Sequence, residues 1–232
     1  MDKNQQSMTI RKVIYSVEYN HILTFSSEYR KVIAPYFKYP NLSYGFDDLD
    51  TFNESIRLIF TKEHYAVHCR KDAIIFVYEG PIESLINSSS PPMDFLFDVI
   101  NSISQIPGFG NFTHHQLQLF AVSESENVCE VSNSVEKSNF IKKVPFEKVD
   151  DFAIVFETKD DDKAAKFEIG NFKPQDVDRF KLSEFKSPFN EDLRDKTGYL
   201  YNLTIKERSD KASFSRYKTF LDTTKKKLYE FD

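Results

Sequence analysis

Glycine is scarce in this chain, and its scarcity limits the folds that the sequence can adopt. Only 6 of the 232 residues are glycine, whereas average usage of roughly 7% would give about 16. Phosphate-binding loops need glycine for positive φ and for close approach of the backbone. The sequence has no GxxxxGK[ST], and Gly108-x-Gly110 has Thr113 where the dinucleotide signature needs its third glycine. The classical mononucleotide-binding and dinucleotide-binding folds are therefore disfavoured.

Cysteine and long apolar runs are also in short supply. The two cysteines, Cys69 and Cys129, form no CxxC pair, so we expect free thiols in a reducing cytoplasm. No stretch approaches the roughly 18 to 20 apolar residues that span a bilayer, and residues 1–10 lack the apolar segment of a signal peptide. The sequence predicts a soluble, cytoplasmic protein with no membrane partner.

Neither sign of charge dominates. There are 31 Lys plus Arg against 36 Asp plus Glu, which gives a net charge of −5. No general basic field is available to attract nucleic acid, so nucleic acid is not an expected partner. The catalytic signatures GxSxG and HExxH are absent. The sequence therefore indicates no reaction, and it predicts no cofactor.

Aromatic residues are abundant instead, with 23 Phe and 12 Tyr. Period-2 alternation predicts a strand from residue 11, with Tyr15 on its inner face, and three apolar runs over 56–78 predict an antiparallel meander. Helical spacing after Ser90 predicts a long amphipathic helix that ends at Pro107. Residues 41–54 are interpreted as an acidic loop.

A similar order of strands and a terminal helix recurs in the second half of the chain. Apolar runs flanking the charged sequence KDDDK predict a hairpin, and Tyr201 lies in a further alternating strand before a helix over 213–231. We predict an α+β fold with two small, mostly antiparallel sheets, each covered by amphipathic helices in a ferredoxin-like or related two-layer sandwich. The predicted organisation is an N-terminal domain (1–125), a polar linker or long loop (126–147) and a C-terminal domain (148–232).

Three segments carry a resemblance to a known family. They are EYRKVIAPYFKYP, MDFLFDVINSISQI and the final GYLYNLTIKE strand with the helix SFSRYKTFLDTTKKKLYEF. Their order resembles a sporadically distributed bacterial family of uncharacterised two-part α+β proteins, although QLQLFAV departs from the arginine-tyrosine strand of that family. The resemblance implies a bacterial, cytosolic, two-part protein and no known activity.

Two small constellations suggest metal chemistry. His64 and His68 alternate with Ala66 in the meander, which would place both imidazoles on one face of a strand, close enough to share a metal. Glu157-x-Lys159 ends an apolar strand, as in a widespread class of metal-dependent nucleases that also needs a second carboxylate. Solvent-exposed strand residues explain His64 and His68 equally well, and a charged strand end is the favoured explanation of Glu157-x-Lys159.

The aromatic residues divide into two groups. Those in periodic segments, such as Tyr15, Phe156 and Tyr201, are predicted to pack in the core. The others lie in loops, where aromatic side chains are typical anchors of protein interfaces. The predicted interface residues are Tyr36, Phe37, Tyr39, Tyr44, Phe46, Phe52, Phe109 and Phe112.

We therefore predict a non-catalytic bacterial interaction protein, a subunit or accessory factor that binds another protein or itself through aromatic loops. One alternative is a metal-dependent hydrolase or nuclease that uses His64 and His68, or Glu157 and Lys159. The other is a protein that binds a small ligand between sheet and helix.

Overall fold

The computed structural model describes residues 8–20, 22, 25–49, 51, 53–125 and 153–230. In this part of the chain, nine strands form one antiparallel sheet in the order β2-β3-β4-β5-β1-β6-β9-β8-β7. The strand ranges are, in chain order, Thr9–Tyr19 (β1), Leu42–Asp47 (β2), Ser55–Phe60 (β3), Tyr65–Arg70 (β4), Ala73–Tyr78 (β5), Phe112–Glu124 (β6), Ala153–Lys159 (β7), Lys163–Phe172 (β8) and Gly198–Arg208 (β9).

The helices are few, and most of them are short. The α-helices are Arg30–Ile33 (α1), Pro91–Ser104 (α2), Asp176–Arg179 (α3), Pro188–Glu191 (α4) and Phe214–Tyr229 (α5). A π-helical turn (Phe25–Tyr29) precedes α1, and 3-10 turns lie at Ala34–Lys38, Ile82–Leu85 and Asp192–Asp195.

The prediction of two small sheets is wrong, because the two sets of strands join into a single sheet. Strand β6, from the predicted N-terminal domain, pairs along its length with β9, from His114–Arg208 to Glu124–Gly198. Gly198 permits this approach, since a Cβ at that position would lie 2.0 Å from the Ser123 carbonyl oxygen. The predicted linker lies outside the described residues.

The main core covers one face of the sheet, where the periodic aromatic and β-branched residues point inward. Tyr15 in β1 and Tyr217 in α5 are fully buried, and their rings meet edge to face at 4.8 Å. Phe97 of α2 lies 6.1 Å from Tyr217. Residues from both predicted domains therefore share one core.

The two long helices begin where their sequences predict, but they end at Ser104 and Tyr229, shortly before the predicted ends. Proline at the first position opens α2, whose buried side includes Met93, Leu96 and Ile100. At the start of α5, the Ser213 hydroxyl accepts a hydrogen bond from the Arg216 backbone N–H at 3.3 Å.

Residues 173–197, here called the cover segment, pack on the opposite face of the sheet. Val177 and Leu182 join Phe120 of β6 in a second apolar cluster, and Phe185 packs with Ala66 and Val77 in a third. The cover segment thus gives the sheet a second buried face near β1, β5 and β6.

The stretch interpreted as an acidic loop, residues 41–54, contains an edge strand. Leu42–Asp47 pairs antiparallel with β3, and Tyr44 lies opposite Leu58. The side chains of β2 are exposed or half-buried. Leu42, Tyr44 and Phe46 alternate with less apolar residues, and the interpretation as an acidic loop overlooked this period-2 pattern.

Candidate protein-interaction surface

Five aromatic rings from separate parts of the chain gather beside the first turns of α2. Tyr39 meets Phe95 edge to face at 5.6 Å, and Phe60 meets Phe95 in the same way at 4.8 Å. Phe60 also stacks on Tyr65 at 4.6 Å, and Tyr36 lies 5.3 Å from Phe95. Such ring pairs stabilise the fold by more than the burial of their area alone would. The cluster is therefore a rigid support for the side chains that it exposes to solvent.

The predicted interface residues Tyr36 and Tyr39 have different environments within this cluster. Tyr36 is buried, and its hydroxyl lies 2.8 Å from the Ser102 Oγ of α2. Tyr39, at the end of the 3-10 turn, keeps 42% of its surface exposed. Tyr36 therefore supports the surface from inside, while Tyr39 is accessible to a partner.

A second group of rings continues the same surface along the edge strand. Phe37 stacks on Tyr44 at 4.3 Å, and Phe46 approaches Tyr44 at 5.9 Å. Tyr44 is 54% exposed, whereas Phe37 and Phe46 are half-buried against the main core. We call Phe37, Tyr39, Tyr44 and Phe46 the aromatic surface.

Phe109 and Phe112 do not belong to the aromatic surface. They lie 5.0 Å apart, and Phe109 packs 5.2 Å from Tyr19. Tyr19 ends β1 beside the turn at Asp72, whose carbonyl accepts the Tyr19 N–H at 3.0 Å. This turn lies at the far end of β4 from Tyr65. Phe52, the eighth predicted interface residue, lies outside the described residues.

A cleft of about 240 Å³ opens between Tyr39 and the start of α2. Phe60 and Tyr65 form its floor, because they face each other across the β3–β4 turn. The turn at Pro40 is tight, with Asn41 at φ 67°, and it directs the chain from Tyr39 into β2.

Three carboxylates line the cleft together with these rings. Asp94 and Asp98 stand one helical turn apart on α2, and Glu63 belongs to the β3–β4 turn. Residues at i and i+4 share one face of a helix, so α2 turns both aspartates toward the same opening. The cleft therefore combines aromatic walls with a negative rim.

Burial and these carboxylates raise the pKa of Tyr65, which lines the cleft, and of Tyr36, which is not among the lining residues. Burial raises the pKa of the Tyr36 hydroxyl, the hydrogen bond with Ser102 opposes this, and a hydrogen bond to the Asp98 carboxylate raises the pKa further. Burial likewise raises the pKa of Tyr65, with added contributions from Glu63 and Asp94. Both hydroxyls remain protonated at neutral pH, and the negative potential at the cleft reaches the aromatic residues behind it.

His64 and His68 do not share a strand. His64 ends the turn before β4 at φ 58°, whereas His68 lies within β4 and is half-buried. Burial lowers the pKa of His68, which keeps that imidazole neutral. Among the residues that the structure describes, no three His, Cys, Asp or Glu side chains come together as a metal-binding group.

Glu157 and Lys159 lie on the edge strand β7. Glu157 faces Lys166 of β8, with their charged atoms 3.8 Å apart. Both residues line a shallow surface depression with Lys206 of β9. Lys166 lies closer to Glu168, at 2.8 Å, and Lys206 pairs with Glu18 at 2.7 Å. Glu157 is the acidic residue among those that line the depression, whereas the nuclease motif requires a second carboxylate.

Tyr39 was a predicted site residue, but the three carboxylates of the cleft and its other three rings were not. These are Glu63, Asp94, Asp98, Phe60, Tyr65 and Phe95. A usable signal exists only for the helix, where Asp94 and Asp98 flank Phe95 at a spacing that places both acids on one face. No local sequence pattern indicates that α2 packs against the β3–β4 turn.

No family model matches the chain, and no curated protein matches it. The resemblance to a bacterial two-part family therefore stays a prediction. In the described part of the chain, no helix is long and apolar enough to cross a membrane.

Proposed function

We propose that this protein is a non-catalytic interaction protein that binds another protein through the aromatic surface. Tyr39 and Tyr44 are its principal anchors. Large aromatic side chains of this kind dominate the binding energy of many interfaces, because they bury much area at small entropic cost.

The exposure of these two tyrosines over an ordered aromatic base carries the proposal. Tyr39 rests on Phe60 and Phe95, and Tyr44 rests on Phe37. Their rings are held in position before any partner arrives, so binding would pay little for ordering them. Exposed large apolar side chains that gather in one area are typical of interaction sites.

Measurement of native complexes tests the proposal. The tagged full chain would be purified from its own cells, and the mass of the native complex would be compared with that of the double variant Tyr39→Ser, Tyr44→Ser. We expect a complex heavier than the 27.2 kDa chain for the unaltered protein. The variant should lose it, because each interface anchor is worth about 2 kcal/mol or more, roughly 30-fold in Kd.

Tyr229→Ser provides the matched control. Tyr229 ends α5, far along the chain from the aromatic surface, and is exposed to a similar degree as Tyr39. The control should retain the complex. A strictly monomeric protein with no copurifying partner would contradict the proposal, as would a double variant that still forms the complex.

A further inference from the structure

The cleft beside Tyr39 carries a specific chemical preference. Tyr39 and Phe95 form its walls, Phe60 and Tyr65 form its floor, and its rim has three carboxylates. None of the residues that line it, all of them within the described ranges, is lysine or arginine. Ring faces and carboxylates both attract positive charge, so the two kinds of group favour the same ligand.

Pairing within the protein explains these carboxylates only in part, since the Asp98 carboxylate accepts a hydrogen bond from the Tyr36 hydroxyl. Across the described ranges, the ion pairs leave out the Glu63, Asp94 and Asp98 carboxylates. Lys62, beside Glu63, donates instead to the Asn41 Oδ1 at 3.3 Å.

The helix dipole of α2 accounts for Asp94 alone. Asp94 lies in the first turn of α2, where a negative charge is stabilised by the helix N-terminus. This effect fades within one turn, so it does not account for Asp98 or for Glu63 on the neighbouring hairpin.

The dimensions of the cleft indicate a small ligand group. A volume of about 240 Å³ is below the roughly 300–1,000 Å³ of pockets that hold drug-sized molecules. One extended side chain fits this space. Its cationic end would contact the rings and form ion pairs with the carboxylates.

We propose that the cleft binds the ammonium or guanidinium group of an exposed lysine or arginine on the partner protein. This inference rests on the proposed function, because Tyr39 belongs both to the aromatic surface and to the cleft wall. The aromatic surface supplies apolar contact area, and the cleft selects a partner that presents a basic residue beside it.

Titration with short peptides tests the inference without the natural partner. The full chain would be titrated with acetyl-Gly-X-Gly-amide, where X is lysine, arginine, norleucine or glutamate, and NMR shifts of Asn41 and Phe95 would be followed. We expect saturable binding of the lysine or arginine peptide, with Kd on the order of millimolar. The norleucine and glutamate peptides should bind at least tenfold more weakly.

A charge variant with a matched control links the binding to this cleft. Asp94→Asn with Asp98→Asn should weaken binding of the basic peptide about tenfold. Asp222→Asn with Glu230→Gln removes two exposed charges at α5 and should leave the affinity unchanged. Circular dichroism confirms that both variants are folded.

Each contrary outcome has a distinct meaning. Equal binding of the norleucine peptide, or equal loss in both charge variants, would overturn the cation site. Tighter binding of spermidine than of the lysine peptide by tenfold or more would overturn the assignment to a partner side chain. Absence of all peptide binding, with the complex still lost in Tyr39→Ser, Tyr44→Ser, would overturn the cleft and leave the proposed function standing.

Discussion

His115 is a buried imidazole in the main core, where it is fully shielded from solvent. Its Nδ1 lies 2.8 Å from the Tyr15 hydroxyl. Burial and, to a lesser degree, the nearby Arg216 guanidinium lower the pKa of His115 to about 4, while the Lys211 backbone opposes them. The ring is therefore neutral in the folded protein over most of the acidic range.

This lowered pKa predicts a loss of stability in mild acid. In the unfolded chain, His115 takes up a proton near its ordinary pKa of about 6.5, but the folded protein resists protonation until about pH 4. The contribution is present above pH 6.5 and is lost as the pH falls toward 4, by about 3 kcal/mol in total. Urea unfolding of His115→Gln should show a correspondingly flatter pH dependence over this range.

His114 is the matched control for that measurement. It adjoins His115 in β6, but its side chain is 41% exposed and lies 3.6 Å from the Glu18 carboxylate. His114→Gln should keep the pH dependence of the unaltered protein. An unchanged pH dependence in His115→Gln would show that this imidazole does not cause the loss of stability in acid.

At the scale of the elements, one carboxylate from outside the cover segment holds that segment against the sheet. Glu79 follows β5 and is completely buried. Its oxygens accept the backbone N–H groups of Glu184 at 2.8 Å and Phe185 at 3.2 Å, and they lie 3.5 Å from the Lys12 Nζ. Glu79 thus joins the cover segment to β1 and β5.

Removal of this carboxylate should detach the cover segment. Glu79→Ala leaves two backbone donors without acceptors and removes one partner of a buried lysine, so we expect a loss of about 3 kcal/mol in the free energy of unfolding. Urea unfolding measures the loss, and hydrogen exchange should show faster exchange for amides at 182–186.

Glu184→Ala is the comparison variant. Glu184 also pairs with Lys12, at 3.2 Å, but its side chain is 39% exposed, and a solvent-screened pair of this kind contributes about 1 kcal/mol or less. Equal losses in the two variants would contradict the special role of Glu79.

Elements with a strong internal pattern were predictable from the sequence, and weakly patterned ones were not. The stripe in Pro91–Ser104 records directly which side is buried. The alternation in β1 marks the face of Tyr15, but the cover segment buries much of the other face as well, including Lys12. Strand β2 was missed although Leu42, Tyr44 and Phe46 alternate, because this pattern is only six residues long and the acidic residues that follow it favour a loop. Phe156 was predicted to be in the core but is 51% exposed, because β7 is the other edge of the sheet.

For the whole molecule, the continuous sheet predicts one cooperative unfolding transition. Strand β6 pairs with β1 on one side and with β9 on the other, so neither predicted domain can unfold without exposing the other's core. The division into 1–125 and 148–232 remains a prediction, and unfolding experiments distinguish the two arrangements.

The absence of tryptophan from the sequence makes this test direct. Tyr44→Trp and Phe156→Trp each place a single fluorophore at an exposed position on opposite edges of the sheet. We expect urea unfolding to give the same midpoint for both variants, equal to the midpoint by circular dichroism. Two different midpoints would contradict a single cooperative unit and support two domains.

Local pattern was enough to locate the long helices and several strands, because periodicity and proline positions act within a few residues. It was not enough to choose the neighbours of a strand. Every strand offers the same backbone donors and acceptors, so the pairing of β6 with β9, across more than seventy residues, depends on the packing of the whole chain. The same holds for the cleft, where α2 brings Asp94 and Asp98 to rings from other elements. Contacts between distant segments join the two expected sheets into one. They also bring aromatic residues from separate segments together in a candidate binding surface.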